Sequence, residues 1–248
     1  MKITSVNNDL VKETAKLLKN KHREESKLFL IEGEKGIKEA LSSGLDLIRI
    51  FVSEGTEFDF NGEIIETNEA VLSKISDAKS APKAVAVAKQ AVYTKETLNN
   101  ASKVVLLEGV KDAGNLGTII RTAVAFGTDA LVLYGDTVDL YNPKTVRSAV
   151  GNLWKIPIFV IKDFNELSNI FANWERVATL PKGDNVLNLS DYIPSKKALI
   201  MFGSEADGLS NELKEFATKN VTIEMAPKVE SLNLSISAGV FLYRLRQN

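Results

Sequence analysis

Apolar residues fall along this chain in two alternating rhythms. Short runs in which nearly every position is Val, Ile, Leu or Ala give way to stretches where apolar residues recur at helical spacing, the pattern of strands alternating with amphipathic helices. Over 8–21 the spacing predicts a helix with one apolar side, and Lys12, Lys16, Lys19 and Arg23 line up on another side as a basic stripe. Such a stripe is either an ordinary solvated face or a surface for a polyanion such as RNA. Strands are expected over 28–31, 47–52, 63–66 and 84–88, with one helix opening at Gly33-Glu34 and another over 68–75. These make a small α/β module. The polar stretch 89–102 has no firm period and reads as a linker, which places a first domain at 1–95 and a second at 96–248.

In the second domain the alternation is stricter. Strands are predicted over 104–107, 130–134, 156–161, 177–180, 198–202 and 221–223, and helices over 116–126, from Pro143, from Asp163, after a cap at Ser210, and over 234–246. Strands that are apolar at almost every position are buried on both faces, which means a parallel sheet with helices on both sides. Ligands of such sheets bind beyond the carboxyl ends of the strands.

At three of those ends the sequence turns polar. The loops read K-D-A-G-N-L-G-T-I-I-R-T-A over 111–123, F-G-S-E-A-D-G-L-S-N-E-L over 202–213, and I-E-M-A-P-K-V-E-S-L-N-L-S-I-S over 223–237. In the first, Asn115 is either the helix N-cap or a site residue, and Arg121, on a helix apolar almost all round, must face a cleft or be paired. In the second, Gly203 lets the backbone come close to a ligand, while Glu205 is either a solvated acid at a helix start or a working carboxylate. In the third, Ser231 and Asn233 stand between Ile223, Met225 and Leu232, which either fold back into the core or wall a ligand.

Composition narrows the chemistry. Among 248 residues, 31 Lys and Arg stand against 32 Asp and Glu, a formal net charge of −1, so contact with nucleic acid needs a local patch. No Cys is present, and His22 is the one histidine, which removes disulfides, thiol nucleophiles, Ser-His-Asp chemistry and multi-His metal sites; no metal is expected. No apolar run is long enough to span a bilayer and the first residues lack a signal-peptide core, so a cytoplasmic protein is expected. Neither G-x-G-x-x-G nor G-x-x-x-x-G-K-[ST] occurs, which argues against a nucleotide-dependent oxidoreductase or kinase.

The order, spacing and content of the three loops resemble the SpoU (TrmH-like) family of RNA ribose 2′-O-methyltransferases, within the knotted SPOUT superfamily that uses S-adenosylmethionine. The resemblance implies an α/β, parallel-sheet methyltransferase domain threaded into a trefoil knot and acting as a homodimer. It also implies a preceding L30e-like RNA-binding domain, matched by Phe29-Leu30-Ile31-Glu32-Gly33-Glu34, by Glu39 and Ala40, and by 84–88. On this likeness Gly203, Ile223, Met225 and Leu232 hold S-adenosylmethionine, and Asn115, Arg121, Glu205, Ser231 and Asn233 are catalytic. Arg147, in P-K-T-V-R-S-A-V-G, becomes a candidate RNA or subunit contact, and the helix over 234–245 a subunit contact. Ala113 and Glu224 stand where members often carry Pro, and Lys83-Ala84 where Gln-Gly is common.

A guanidinium is not deprotonated in proteins, so Arg121 is expected to clamp an RNA phosphate rather than act as a base. Asn115, Ser231 and Asn233 would then fix the ribose, with Glu205 orienting Arg121 or the loops. Two alternatives stay open at this stage: a non-catalytic RNA-binding protein that kept the fold, and a base-methylating RNA enzyme. The target is either ribosomal or transfer RNA.

Overall fold

The computed structural model describes residues 1–229 and 231–246. In chain order its elements begin with β1 (Lys2–Ile3), α1 (Asp9–Lys16), α2 (Asn20–Ser26), β2 (Leu28–Glu32), α3 (Glu34–Ser42), β3 (Leu47–Ser53), β4 (Glu63–Thr67), α4 (Glu69–Lys74) and β5 (Ala84–Lys89). A 3-10 turn, Lys95–Asn100, lies within the expected linker. Then follow β6 (Lys103–Glu108), α5 (Ala113–Ala125), β7 (Ala130–Tyr134), α6 (Pro143–Ala149), β8 (Ile158–Ile161), α7 (Phe164–Ile170) and β9 (Glu175–Thr179). The last are β10 (Leu187–Asn188), β11 (Ala198–Phe202), α8 (Asn211–Phe216), β12 (Lys219–Thr222) and α9 (Leu234–Arg246).

Met1–Val92 and Asp139–Lys155 together form one compact unit. Its five strands run in the order β1-β4-β3-β5-β2, with β5 antiparallel to both β2 and β3 and the β1–β4 and β3–β4 pairs parallel. The Ala/Val alternation of β5 suits a strand squeezed on both faces, and 84–88 are all buried. Helix α6 packs on β2, and Arg147 at its end pairs with Glu32 and, at 3.3 Å, with Asp77. Since the Glu32 side chain is only 2% exposed, Arg147 neutralises a buried carboxylate inside this unit. Nothing in the local sequence signals this intramolecular use of Arg147, whose side chain stays 32% exposed.

The helix expected over 8–21 is two helices. Helix α1 stops at Lys16, Lys19 takes up extended backbone angles, and α2 starts afresh at Asn20. The break resets the helical phase. Lys12, Lys16 and Lys19 remain exposed, but Arg23 turns inward to 2% exposure. Its Nε donates to Asp139 at 2.7 Å and its Nη1 to the Leu17 carbonyl at 2.7 Å. Arg23 is therefore no part of a basic surface stripe, because a period carried through a kink assigns the wrong face.

The second unit comprises Tyr93–Val138 and Ile156–Asn248. Its seven-stranded sheet runs β10-β12-β9-β11-β6-β7-β8, and every pairing in it is parallel. Strands β7 and β11 are buried at every position, as the continuous apolar runs require of a sheet covered on both faces. On one face, Leu106, Val132, Leu199 and Met201 join Phe171, Trp174 and Leu213 in a single core cluster. No helix among the described residues is long and apolar enough to cross a membrane.

Candidate active site

Because all seven strands point the same way, their carboxyl ends open on one edge, and the order β12-β9-β11-β6 sets four of those ends side by side. The loop after β6 enters α5. Asp112 is the N-cap, its side chain accepting from the Asn115 backbone N–H at 2.8 Å. The helix thus starts earlier than expected, with Ala113 at its first position, where proline is well tolerated. Asn115 is consequently not the cap. Its side chain stands free of capping duty in the first turn and reaches across to the neighbouring loops.

The loop after β11 doubles back on itself. Ser204 N–H donates to the Gly208 carbonyl at 3.2 Å, Gly208 N–H returns to Ser204 at 3.0 Å, and Gly208 has φ +66°. A Cβ on Gly203 would lie 1.9 Å from the Gly208 carbonyl carbon and 2.1 Å from the Leu209 nitrogen. No side chain fits there. The close approach that demands this glycine is made by its own loop, and its effect is to present Glu205 at the tip.

These loops meet through three side chains. Asn115 Nδ2 donates to Glu205 Oε1, and Asn233 Nδ2 donates to Asn115 Oδ1 at 3.1 Å. Asn233 Oδ1 in turn accepts from the N–H of Ser235 at 2.9 Å, the Ser235 hydroxyl at 2.6 Å and the N–H of Ile236 at 3.4 Å, capping α9. One hydrogen-bonded run therefore ties the ends of β6, β11 and β12. Helices α5 and α9 pack along each other, with Phe126 edge-on to Tyr243 at a centroid distance of 5.7 Å.

Beside Asn233 opens a pocket of about 140 Å³ walled by Leu180, Pro181, Ile223, Met225, Leu232 and Phe241, with Thr179, Thr222, Ser231 and Ser237 as its polar groups. Ile223, Met225, Ser231 and Leu232 are thus brought together as the loop sequence suggested, while Gly203 is not among the lining residues. Thr179, Leu180, Pro181, Ser237 and Phe241 escaped the sequence reading. A signal was present, since T-L-P-K-G over 179–183 follows a strand end like the other three loops. Arg121 is exposed on α5, and among the described residues it has no carboxylate partner. Glu205 does not orient Arg121; it holds Asn115.

The lining carries no charged side chain. That suits a flat uncharged heterocycle flanked by hydroxyls and disfavours a phosphate, which would call for cations or a helix N-terminus. The volume, below the roughly 300–1,000 Å³ of sites that swallow a drug-sized ligand whole, matches one part of a larger molecule. An adenine ring meets both conditions, so these residues fit S-adenosylmethionine.

A family model described as the SpoU rRNA methylase family matches residues 102–243, and one described as the MRM3-like substrate binding domain matches residues 8–86. The chain is 32% identical over 251 residues to the 23S rRNA (guanosine(2553)-2'-O)-methyltransferase RlmP of Bacillus subtilis (strain 168), with 98% of each chain covered. The structure of an AdoMet-bound rRNA methyltransferase from Sinorhizobium meliloti superposes with a TM-score of 0.89 at 29% identity, covering 100% of this chain and 97% of that one. The SpoU methyltransferase AviRb from Streptomyces viridochromogenes, solved with AdoMet, gives 0.87 at 25% identity over 97% of this chain and 98% of that one. The chain belongs to the SpoU rRNA methylase family and carries an MRM3-like substrate-binding domain ahead of the methylase domain.

Proposed function

We propose that this SpoU family member is an S-adenosylmethionine-dependent RNA methyltransferase that acts on a ribose 2′-hydroxyl of ribosomal RNA. The observation that carries the reading is the run Glu205–Asn115–Asn233 across three strand ends, beside an uncharged pocket of the right chemistry for adenine. A relative covering nearly the whole chain is named a 23S rRNA 2′-O-methyltransferase, which favours ribosomal over transfer RNA and a ribose hydroxyl over a base.

When bound, the cofactor supplies an electrophilic methyl group on a sulfonium. The chain's own residues then have to place a ribose hydroxyl in line with it and tolerate loss of the hydroxyl proton; alignment of this kind lowers a barrier by as much as about 7–11 kcal/mol in the best cases. Leu180, Ile223, Met225 and Leu232, which line the pocket, would hold the heterocycle. Glu205, Asn115 and Asn233 fix the mutual spacing of the three loops, and Ser231 lines the pocket and offers its hydroxyl to the ribose. Arg121 clamps an RNA phosphate with a guanidinium that stays charged throughout. Lys12, Lys16 and Lys19 offer ammonium groups on the substrate-binding domain, Lys12 and Lys16 sharing theirs with Asp9 at 3.6 Å and Glu13 at 2.5 Å, partners that RNA phosphates would displace.

A homodimer accompanies this reading. Helix α9 leaves Ile236 54%, Val240 40% and Tyr243 54% exposed at i, i+4 and i+7, an apolar stripe along the side away from its buried residues. A second copy of this chain is the partner that stripe fits, by the same likeness that assigns 234–245 to a subunit contact.

The test is methyl transfer by purified protein from S-adenosylmethionine to ribosomal RNA, with the product nucleoside analysed after hydrolysis. A 2′-O-methylnucleoside is expected. A methyl group found on a base instead, or no transfer alongside normal RNA binding, would establish one of the two alternatives.

A further inference from the structure

The stretch Ile223–Met225 walls the pocket but has left the sheet. The β10–β12 ladder ends at the Asn188–Thr222 pairing, with one further backbone bond from Leu189 N–H to the Thr222 carbonyl at 2.8 Å. Beyond Thr222 the chain is held by a side chain. Glu224, lying between the two pocket residues Ile223 and Met225, accepts from the Ser190 hydroxyl at 2.8 Å and from the Ser190 N–H at 3.4 Å, using both carboxylate oxygens. The anchor is itself fixed, because the Ser190 carbonyl accepts from Arg244 Nη2 on α9 at 2.9 Å. The same helix contributes Ser237 and Phe241 to the pocket.

We infer that Glu224 is a positioning residue for the cofactor pocket: its two-pronged grip on Ser190 sets the backbone that carries the Ile223 and Met225 walls. The inference rests on the proposed reading of that pocket as the S-adenosylmethionine site. The stretch is restrained from outside, by a carboxylate gripping the chain just past the adjacent edge strand. Glu224 is not among the pocket's lining residues and touches no reacting group, so its influence is confined to cofactor binding.

The experiment measures binding of S-adenosylhomocysteine to the full-length protein by calorimetry, for the wild type, Glu224→Ala, Glu224→Gln, Ser190→Ala and the double variant Glu224→Ala/Ser190→Ala. Hydrogen exchange is followed at the amides of 223–225 in the ligand-free protein. Glu224→Ala and Ser190→Ala are each expected to weaken binding by about five-fold, the factor one net hydrogen bond confers, and to speed exchange at those amides without lowering the melting temperature. The double variant is expected to be no worse than Glu224→Ala alone, since the hydroxyl bond that Ser190→Ala removes is already lost with the carboxylate. Glu224→Gln, which keeps an acceptor for the Ser190 hydroxyl, is expected to recover most of the loss, and kcat at saturating cofactor to stay within about two-fold of wild type. Unchanged binding in Glu224→Ala, with a wild type that binds normally, overturns the positioning role and leaves the methyltransferase reading intact. A wild type that fails to bind S-adenosylhomocysteine overturns both.

Discussion

Asn233 donates its side-chain amide to the side-chain oxygen Oδ1 of Asn115 at 3.1 Å, so the cap of α9 and the first turn of α5 are one hydrogen-bonded assembly. Two functions reside in Asn233 and they are separable. Asn233→Ala is expected to cost about 1 kcal/mol of stability through loss of the cap and also to break the link to Asn115. Asn233→Ser keeps a capping oxygen but no amide; its melting temperature is expected to stay near wild type while kcat falls by about 10–100-fold, in line with misplacement of reacting groups. Asn115→Ala is expected to lose activity to a similar degree with cofactor affinity retained. Full activity in Asn233→Ser would remove the link from the mechanism.

Arg121 is expected to act through charge alone. Arg121→Ala should lower kcat/KM by about 100-fold, and Arg121→Lys should restore part of it as a point charge without the fork. The pH–rate profile decides the role. A clamp leaves the profile of Arg121→Lys parallel to wild type, whereas a new titration near the lysine pKa would make residue 121 the proton acceptor.

The exposed side of α9 predicts the oligomeric state. Sedimentation of the wild type is expected to show a dimer at assay concentrations, and Val240→Asp, which places a carboxylate in the stripe of Ile236, Val240 and Tyr243, is expected to give a folded monomer. An active wild-type monomer would contradict the subunit contact.

Reading of RNA by the first unit is best tested by point substitution. Residues 139–155 pack within that unit through Arg23–Asp139, Arg147–Glu32 and Lys155–Glu39, and Val146 and Ala149 are buried there. Removing residues 1–92 strips all of these of their partners, so poor solubility of the remainder is expected and says nothing about RNA. The triple variant Lys12→Ala/Lys16→Ala/Lys19→Ala touches only exposed side chains. It is expected to weaken RNA binding and to flatten its logarithmic salt dependence by about 0.7–0.9 for each phosphate that is no longer neutralised, with cofactor affinity unchanged. An unaltered salt slope would return the stripe to an ordinary solvated face.

Asp129 makes stability depend on acid. Burial alone would raise its carboxyl, but donors from Lys103 and Ser102 outweigh that and hold it below its ordinary value; Asp129 Oδ2 accepts from Ser102 N–H at 2.8 Å, the Ser102 hydroxyl at 2.9 Å and Lys103 N–H at 2.8 Å. A depressed carboxyl contributes stability that is present above its unfolded pKa, about 3.9, and is lost as pH falls through the folded value. Asp129→Asn is expected to melt lower at pH 7 and to show a shallower decline of melting temperature below about pH 4 than wild type.

Most strands were legible because a doubly covered parallel sheet leaves a continuous apolar signal, as at 130–134 and 198–202. Residues whose roles depend on a partner far along the chain were not. Arg23 and Arg147 look like surface cations in a local window, yet Asp139 and Glu32 claim them from more than a hundred residues away. Strands β1 and β10, two residues each, are too short to carry a period. The site was legible where side chains of distinctive type cluster, as with Asn115, Glu205 and Asn233. Leu180 and Phe241 were missed because an apolar wall and an apolar core position have the same sequence signature.

The first unit is completed by residues that leave the ribosome late. At roughly 5–20 residues per second, the 63 residues from Tyr93 to Lys155 take about three to thirteen seconds to synthesise. During that interval the nascent unit holds Glu32 without the cation that neutralises it and lacks the apolar face of α6 that covers β2. By the time α6 emerges, β6 and β7 of the other sheet have already been made. The amino-terminal unit therefore cannot close until residue 155 has been made, and a nascent chain stalled before that point leaves β2 uncovered and Glu32 without its cation.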